Sequence, residues 1–341
     1  MKTKAAVLIR GKKGPEAFEL MDWELSALTE NEVLIESEGF GLNYADIMAS
    51  QGLYREAPPR PCVIGYEVVG KVIEVAKGVS EEWIGKRVLA FTRFGGYAQK
   101  VKTQINAIVE VNDAPIEDLM ALATQGVTAI YMSQHVINVT ENDKVLVHAA
   151  AGGVGSLLVQ MAKAKGANVI GNVGSPEKAE LVKSLGADET IQYKKERYVD
   201  KVQKFFGKGG LSVSFNAVAG DSFKKDLKLL GAGGRLVLFG GAQLTNSRWG
   251  IFSALNFIRK MGRPLPIGLM MTSKSVVGVN MLKIADHHPN IIQKCLSEVL
   301  EMYQKGNLRI IRGGTFRIEE ISKAHDLLAS GKSMGKVVVL W

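Results

Sequence analysis

One stretch near the middle of the chain limits the possible folds, because an apolar run, a glycine-rich turn and an amphipathic segment follow one another directly. The run 145–149 has the length of a buried strand, and Gly152, Gly153 and Gly155 supply the turn. Apolar side chains then recur at the spacing of one helix face, at Val154, Leu157, Leu158, Met161 and Ala162. Glycines let the backbone approach a pyrophosphate, whose charge is favoured at a helix N-terminus. The stretch predicts a dinucleotide site that includes Val154, and an ordinary glycine-rich turn is the alternative.

The strand that follows this helix indicates which nicotinamide cofactor is bound. Strand 168–173 lies where NAD-binding proteins place an acidic residue for the ribose 2′-hydroxyl, but no acid stands at its end. Ser175 and Lys178 follow instead, and Tyr193 comes after the next strand. Neutral and basic donors suit a 2′-phosphate, so these three residues predict NADPH rather than NADH. Alternatively, Ser175 caps a helix and Lys178 is a solvated helix residue, and both interpretations can hold together.

Length and cysteine content fit a cytoplasmic enzyme of two domains. The 341 residues exceed what one hydrophobic core usually serves. No apolar run approaches the ~18 residues that span a bilayer. Cys62 and Cys295 lie far apart, so they predict neither a disulfide framework nor a metal cluster and fit a reducing compartment.

Positive charge is concentrated in one part of the chain. The formal net charge is +9, and residues 227–285 contain no Asp or Glu. Such a stretch can attract an anionic cofactor, an acidic membrane surface or nucleic acid. Nucleic acid is the least favoured partner, because the basic residues are scattered among apolar runs without a nucleic-acid-binding motif. A basic face without any partner is the alternative.

The hydrophobic pattern divides the chain into two regimes. Short strand-like runs broken by glycine fill residues 1–122 and predict an antiparallel barrel; they are 5–9, 32–35, 63–75, 87–91, 97–101 and 107–111. From 124 to 285 strands alternate with helical patterns, which predicts a parallel sheet. Its six strands are 145–149, 168–172, 189–191, 213–216, 235–239 and 276–279. A helix over 291–304 and a final strand over 336–340 end the chain.

Seven motifs, spread over nearly the whole length, carry a family resemblance. They are Gly41–Tyr54, Gly65–Gly70, Gly126–Ala129, Val147–Gly155, Gly174–Lys178, Gly233–Gly240 and Gly335–Val339. With them the chain resembles the zinc-independent quinone oxidoreductases of the medium-chain dehydrogenase/reductase superfamily, and among these the vesicle amine transport protein 1 (VAT-1) group.

The resemblance implies an α/β protein of two domains. A GroES-like β-barrel catalytic domain would span 1–122 and be completed by 288–341, and a Rossmann domain that binds NADPH on a six-stranded parallel sheet would span 123–287. The active site would be the cleft between them. Thr128 would lie near the nicotinamide, and Val279 and Asn280 would end the last strand beside that ring. Phe239 and Gly240 complete the implied cofactor contacts.

Departures from the zinc-containing relatives predict that no metal is bound. Those enzymes hold a catalytic zinc with a Cys where this chain has Asn43, and with a His where it has Tyr66. Glu67 alone cannot supply the three or four ligands that zinc requires. Residues 80–120 contain no Cys for a structural zinc. Without a Lewis acid, oxidation of an alcohol is disfavoured, because nothing lowers the pKa of its hydroxyl.

The expected reaction is therefore hydride transfer from NADPH to a quinone or an α,β-unsaturated carbonyl compound. Such acceptors need only hydrogen-bond donors for the charge that develops on oxygen. The candidate catalytic donors are Asn43, Tyr54 and Tyr66. Alternatively, Tyr54 is a packed aromatic residue, and Asn43 contacts the carboxamide or ribose of the cofactor. Asp46 is expected to cap the short helix that follows Asn43.

A second function class stays open, because the VAT-1 group is linked to membranes. On this alternative the chain is an NADPH-binding protein with a lipid- or membrane-associated, weakly catalytic role. Segment 247–262 is rich in large apolar residues with basic flanks, so it could be a lid, a membrane-contacting surface or a packing segment. The lid or packing role is favoured over the membrane. Strand 275–281 is expected to be an exposed edge, which a homodimer would cover.

Overall fold

The computed structural model describes residues 1–241, 257, 259–262 and 264–341, and these form two compact units. The first unit consists of Met1–Val127, Leu282–Glu301 and Ile310–Trp341, and the second of Thr128–Met281 and Met302–Arg309. The three alternatives for segment 247–262 therefore lie largely outside the described residues.

The described strands are numbered in chain order. In the first part of the chain they are β1 (Lys2–Leu8), β2 (Phe18–Glu24), β3 (Glu32–Leu42), β4 (Cys62–Val63), β5 (Glu67–Val75), β6 (Arg87–Phe91), β7 (Lys100–Gln104) and β8 (Ile108–Glu110). There follow β9 (Lys144–His148), β10 (Asn168–Val173), β11 (Glu189–Gln192), β12 (Leu211–Asn216), β13 (Leu230–Leu238), β14 (Ser275–Gly278), β15 (Arg312–Arg317) and β16 (Lys336–Leu340).

The described α-helices are numbered in the same way. They are α1 (Tyr44–Ser50), α2 (Ile116–Met120), α3 (Val127–Ile130), α4 (Gly153–Ala164), α5 (Pro176–Ser184), α6 (Tyr198–Phe206), α7 (Asp221–Leu229), α8 (Pro266–Met271), α9 (Met281–His287), α10 (Pro289–Gln304) and α11 (Ile321–Ala329). Two π-helical turns, Ala121–Gly126 and Tyr131–Val136, flank α3.

The second unit is built on six parallel strands, which confirms the predicted sheet. Their order is β11-β10-β9-β12-β13-β14, so the chain runs outward from β9 to one edge, returns to the middle and runs to the other edge. The direction reverses between β9 and β12, and ligands of such sheets bind outside the carboxyl ends of the strands at this point. β9 ends at His148 rather than at Ala149, because Ala149 has a left-handed backbone with φ of 51°.

The first unit contains two sheets. One has seven strands in the order β15-β16-β3-β5-β6-β8, with β7 also paired to β3, and the other has the order β2-β1-β4. The predicted run 63–75 is split into β4 and β5 at Gly65, whose φ is 105°. A Cβ there would lie 2.5 Å from the ring of Tyr97, so the backbone turns at a position that only glycine can occupy.

The strands within residues 1–122 pair antiparallel, as predicted, whereas β15 and β16, which lie beyond that range, run parallel. Neither β15 nor β2 was predicted from the sequence. β15 contains two glycines and two arginines, and four consecutive residues of β2 are exposed, so neither strand has the alternation of a half-buried strand. Both strands are held by pairing with a more apolar neighbour.

Candidate active site

The glycine-rich turn of the second unit lies between β9 and α4. The amide of Gly152 donates to the carbonyl of Ala149 at 2.9 Å, and Gly152 is the N-cap of α4. A Cβ on Gly155 would lie 2.3 Å from the same carbonyl oxygen, so helix and strand approach too closely for any side chain there. Gly153 and Val154 open the helix, and Gly152 has no side chain to cap their amides. The turn therefore fits a pyrophosphate group.

A second candidate anion site lies where β10 meets α5. Ser175 caps α5 by accepting from the amide of Lys178 at 3.4 Å, and a Cβ on Gly174 would lie 2.9 Å from the Tyr193 hydroxyl. Burial lowers the pKa of Lys178, and the positive charge of Lys194 lowers it further. The structure thus brings Ser175, Lys178 and Tyr193 to one helix N-terminus, with a second ammonium group nearby. This arrangement fits a phosphate dianion.

The other cofactor candidates lie at the carboxyl ends of strands of the same unit. A Cβ on Gly240 would lie 2.6 Å from the carbonyl oxygen of Ala217, so the segments after β12 and β13 approach closely there. Phe239 donates its amide to Asn216 at 3.3 Å. Val279 follows β14, where its amide donates to Leu238 at 2.8 Å. The last two candidates, Thr128 and Asn280, lie on α3 and directly before α9.

The first unit contains a buried ionic cluster that includes one of the candidate donors. The Oε1 atom of Glu67 accepts from Asn43 Nδ2 at 2.9 Å and from Lys336 Nζ. Lys336 Nζ also donates to Asn43 Oδ1 at 2.9 Å. The backbone amide of Thr124 donates to Glu67 Oε2 at 2.6 Å. Both charged side chains have an exposed fraction of 0%, so the ammonium and the carboxylate neutralise each other inside the protein.

Asn43 is therefore held from both ends of its amide. Its oxygen accepts from Lys336 and one N–H group donates to Glu67, which leaves one N–H group for another partner. Gly41 makes this packing possible, because a Cβ there would lie 2.4 Å from Lys336 Cε and 2.5 Å from Glu67 Oε1.

Asp46 caps α1, which confirms the expectation from the sequence. Its Oδ2 atom accepts from the backbone amide of Asn43 at 2.7 Å. Burial raises the pKa of Asp46 to about 7, and Lys336 partly opposes this rise. The second carboxyl oxygen has no hydrogen-bond partner among the described residues. The helix cap thus carries an acid that titrates near neutral pH.

The two candidate tyrosines lie in one aromatic cluster of the first unit. The rings of Tyr54 and Tyr66 are 6.3 Å apart and nearly perpendicular, and Phe94 lies 5.3 Å from Tyr66. The hydroxyl of Tyr66 is buried and has no hydrogen-bond partner among the described residues. Burial raises the pKa of both phenols, so both stay protonated at neutral pH. Protonated phenols can donate hydrogen bonds to a substrate oxygen.

Two residues of these clusters were missed from the sequence. Lys336 belongs to the motif Gly335–Val339, for which the sequence predicts only a strand. A single charged residue at the start of the apolar run Lys336–Leu340 is the signal that could have revealed it, because a lysine is almost never fully buried unless it is paired. Lys194 gave no comparable signal, since lysines are common beside exposed turns.

None of the described helices combines the length and the apolar character that crossing a bilayer requires.

Comparison with known proteins gives two family models that together cover most of the chain. Residues 29–144 match the alcohol dehydrogenase GroES-like domain, and residues 153–311 match the zinc-binding dehydrogenase model. The first unit thus contains a GroES-like domain and the second a Rossmann domain.

Three similar proteins add detail. A quinone oxidoreductase of Pseudomonas aeruginosa is 30% identical over 96% of both chains. A synaptic vesicle membrane protein VAT-1 homolog of Danio rerio is 27% identical over 92% of this chain, which spans 65% of that protein. A mycobacterial protein whose structure was determined with NADPH has a TM-score of 0.86 at 27% identity, over 99% of this chain and all of the other.

Proposed function

The chain belongs to the quinone oxidoreductase family of the medium-chain dehydrogenase/reductase superfamily, and from this premise we propose that it reduces quinones or α,β-unsaturated carbonyl compounds with NADPH and without a metal ion. The protein is an oxidoreductase that acts on a small molecule. NADPH supplies the hydride when it is bound.

The cofactor assignment is supported by two anion sites in the second unit. The turn Gly152–Gly155 would hold the pyrophosphate, and Ser175, Lys178 and Tyr193 would hold the 2′-phosphate. The similar mycobacterial structure contains NADPH. Residues that follow strand ends, together with Thr128 on α3, are proposed for the nicotinamide half; the former are Phe239, Gly240, Val279 and Asn280.

The acceptor is proposed to be activated by hydrogen bonds alone. The Tyr66 hydroxyl is buried and unpartnered among the described residues, and a protonated phenol is a suitable donor to a developing enolate or phenolate oxygen. Tyr54 lies beside it, and the remaining N–H group of Asn43 is a third candidate donor.

One observation carries the proposal of a metal-free reaction. The Lys336 ammonium contacts both Asn43 Oδ1 and Glu67 Oε1, so the residue at the Cys-ligand position of the zinc enzymes and the glutamate that follows the His-ligand position already face a cation. A zinc ion at this place would repel the ammonium and would have an amide and a shared carboxylate as ligands. Zinc prefers thiolate, imidazole and unshared carboxylate.

A panel of electron acceptors tests the reaction. We expect the purified full chain to oxidise NADPH with quinones and enones, and to give no detectable NADPH from NADP⁺ and primary alcohols. Alcohol oxidation at a rate similar to quinone reduction would contradict the proposal. Tight NADPH binding without turnover across the panel would favour the VAT-1-like binding role instead.

We further propose a homodimer and a reducing, cytoplasmic setting. β14 ends the six-stranded sheet, and apolar side chains are exposed on or just before α8, which precedes β14; they are Leu265, Ile267, Met270 and Met271. A two-fold partner that pairs with the β14 edge is the proposed cover. Cys62 and Cys295 are buried free thiols, as in proteins of reducing compartments. A monomer by light scattering at micromolar concentration would contradict the dimer.

A further inference from the structure

A buried polar network in the second unit has no role in the chemistry proposed above. Asp226, on α7, has an exposed fraction of 0%. Its Oδ2 atom accepts from His148 Nε2 at 2.9 Å, from Ser214 Oγ at 2.7 Å and from Asn216 Nδ2 at 2.7 Å. Its Oδ1 atom accepts from the Tyr198 hydroxyl at 2.9 Å. Four side-chain donors thus converge on one carboxylate.

Two of these donors lie at the carboxyl ends of strands, where the cofactor is proposed to bind, while Ser214 lies within β12 and Tyr198 begins α6. His148 is the last residue of β9, and Asn216 is the last residue of β12. The other ring nitrogen of His148 meets Asn172 Nδ2 at 3.1 Å, near the end of β10. The network therefore joins the ends of the three central strands of the sheet.

The ends of β9 and β12 lead into segments that each contain a left-handed alanine. Ala149 follows His148 and has φ of 51°, a left-handed conformation that an alanine adopts only when its surroundings impose it. The amide of Ala150 donates to the carbonyl of Asn172 at 3.2 Å, which ties the same turn to β10. The glycine-rich turn is thus fixed at its start by the residues of the network.

The segment after β12 is held in a similar way. Asn216 Oδ1 accepts from the amides of Val218 and Ala219 at 2.9 and 2.8 Å. Ala219 has φ of 57°, so this segment also contains a left-handed alanine. The same segment approaches Gly240, one of the proposed cofactor contacts.

We propose that Asp226 and its donors His148, Ser214 and Asn216 are positioning residues that hold the glycine-rich turn and the segment after β12 in the conformation that receives NADPH. The inference rests on the proposed cofactor site. None of the four residues needs to touch the cofactor, since they act through the backbone of Ala149 and Ala219.

The opposite ends of the same strands supply a matched control. Asp143, directly before β9, is also buried and accepts from Ser212 Oγ at 2.8 Å, from the Thr140 amide at 2.9 Å and from the Arg235 guanidinium. Asp226→Ala and Asp143→Ala thus each remove a multiply bonded carboxylate that contacts the same sheet, one near the carboxyl ends of its strands and one near the amino ends. Asp226→Asn keeps an acceptor oxygen for three donors and serves as the conservative variant.

The test measures NADPH affinity by fluorescence titration and Tm for the full chain and these three variants. We expect Asp226→Ala to weaken NADPH binding by about tenfold, which corresponds to ~1.4 kcal/mol, and to leave the KM for the acceptor unchanged. Asp143→Ala should lower Tm about as much as Asp226→Ala does, but without changing NADPH affinity. Asp226→Asn should bind NADPH nearly as well as the unchanged chain. Equal weakening in both alanine variants, or unchanged affinity in Asp226→Ala, would overturn the proposal.

Smaller changes cover the case in which Asp226→Ala does not fold. Ser214→Ala removes one donor to Asp226. Ser212 lies two residues earlier on β12, and Ser212→Ala removes one donor to Asp143. Only Ser214→Ala should weaken NADPH binding, and equal effects of the two changes would overturn the proposal. If the unchanged chain does not bind NADPH, the proposed function fails first, and that result is distinct from equal behaviour of the variants.

Discussion

Both units contain fully buried carboxylates, and two of these, Glu67 and Asp226, are stabilised in different ways. Glu67 in the first unit faces the Lys336 ammonium, whereas Asp226 in the second unit accepts from a ring of side-chain donors. Among the described residues, Glu67 has one partner that carries a full charge, beside the neutral donors Asn43 Nδ2 and the Thr124 amide. The Asp226 carboxylate is instead stabilised by hydrogen bonds from four side chains, which lie on β9, β12 and α6.

The two arrangements should respond differently to substitutions that remove a partner of the buried carboxylate. A buried charge that loses its only opposite charge is left uncompensated, so damage to the ion pair should be abrupt. A carboxylate with several donors loses them one at a time, so damage to the donor ring should be graded. Stability should therefore depend most on the first cluster, and cofactor affinity on the second unit.

The largest effect is expected from Lys336→Met. The change leaves Glu67 buried without its cation, which should lower the free energy of unfolding by about 3–5 kcal/mol. Denaturant titration measures this loss. The double variant Lys336→Met with Glu67→Gln should recover much of it, because no charge remains buried. A loss below ~1 kcal/mol in the single variant would show that the pair does not control stability.

The next effect concerns the pH dependence of stability in the first unit. The folded pKa of Asp46 is about 7, above its ordinary value of 3.8, so the folded state holds this proton more tightly than the unfolded state. The resulting stabilisation is complete below the unfolded pKa and is lost as the pH rises through about 7.

Asp46→Asn should remove this dependence, so the stability of the unchanged chain relative to the variant should fall as pH rises between about 4 and 7. Unfolding titrations across this range measure the difference. The stability of the variant is subtracted because other groups also titrate. Burial lowers the pKa of His325 to about 3, so His325 makes stability rise with pH, opposite to Asp46. Parallel pH profiles for the two proteins would contradict the prediction.

Turnover should be sensitive to the phenol donors. Removing the hydroxyl in Tyr54→Phe or Tyr66→Phe should lower the rate with enones by about 10²-fold, as for the loss of one oxyanion donor. Quinones should be affected less, because they are reduced more easily and depend less on a donor. Steady-state rates with both acceptor classes measure this. A larger loss with quinones would assign these tyrosines to packing.

The smallest effect is expected at the 2′-phosphate site. Lys178→Ala should weaken NADPH binding about 10- to 150-fold, as expected for a lost charge-assisted hydrogen bond of ~1.5–3 kcal/mol, and should hardly change NADH binding. Lys183→Ala is the control, since Lys183 lies in the last turn of the same helix. Equal losses for both cofactors would remove the phosphate role of Lys178.

The parallel sheet and the glycine-rich turn could be predicted from sequence because their signals are local. Most strands of that sheet contain a short apolar run, and the turn places its glycines between strand and helix patterns. β2 and β15 escaped prediction because pairing with neighbours, rather than their own pattern, keeps them in strands. The parallel pairing of β15 with β16 depends on which strands meet, and no local pattern states this.

The candidate site divides in the same way. Ser175 and Lys178 are neighbours in sequence and around one helix N-terminus, so their grouping was predictable. Glu67 and Lys336 are 269 positions apart, and Asp226 meets donors from three separate elements. Such pairs cannot be predicted from local sequence, because only the complete fold determines which polar side chains are buried and which of them lie close together.

Quinone reduction by protein of known metal content tests most directly whether the reaction proceeds without a metal ion. The zinc content of the purified full chain is measured, and NADPH oxidation with a quinone is followed before and after treatment with a chelator. We expect substoichiometric zinc, and the same rate of NADPH oxidation and the same Tm before and after treatment. A rate that the chelator abolishes and added zinc restores would contradict this expectation.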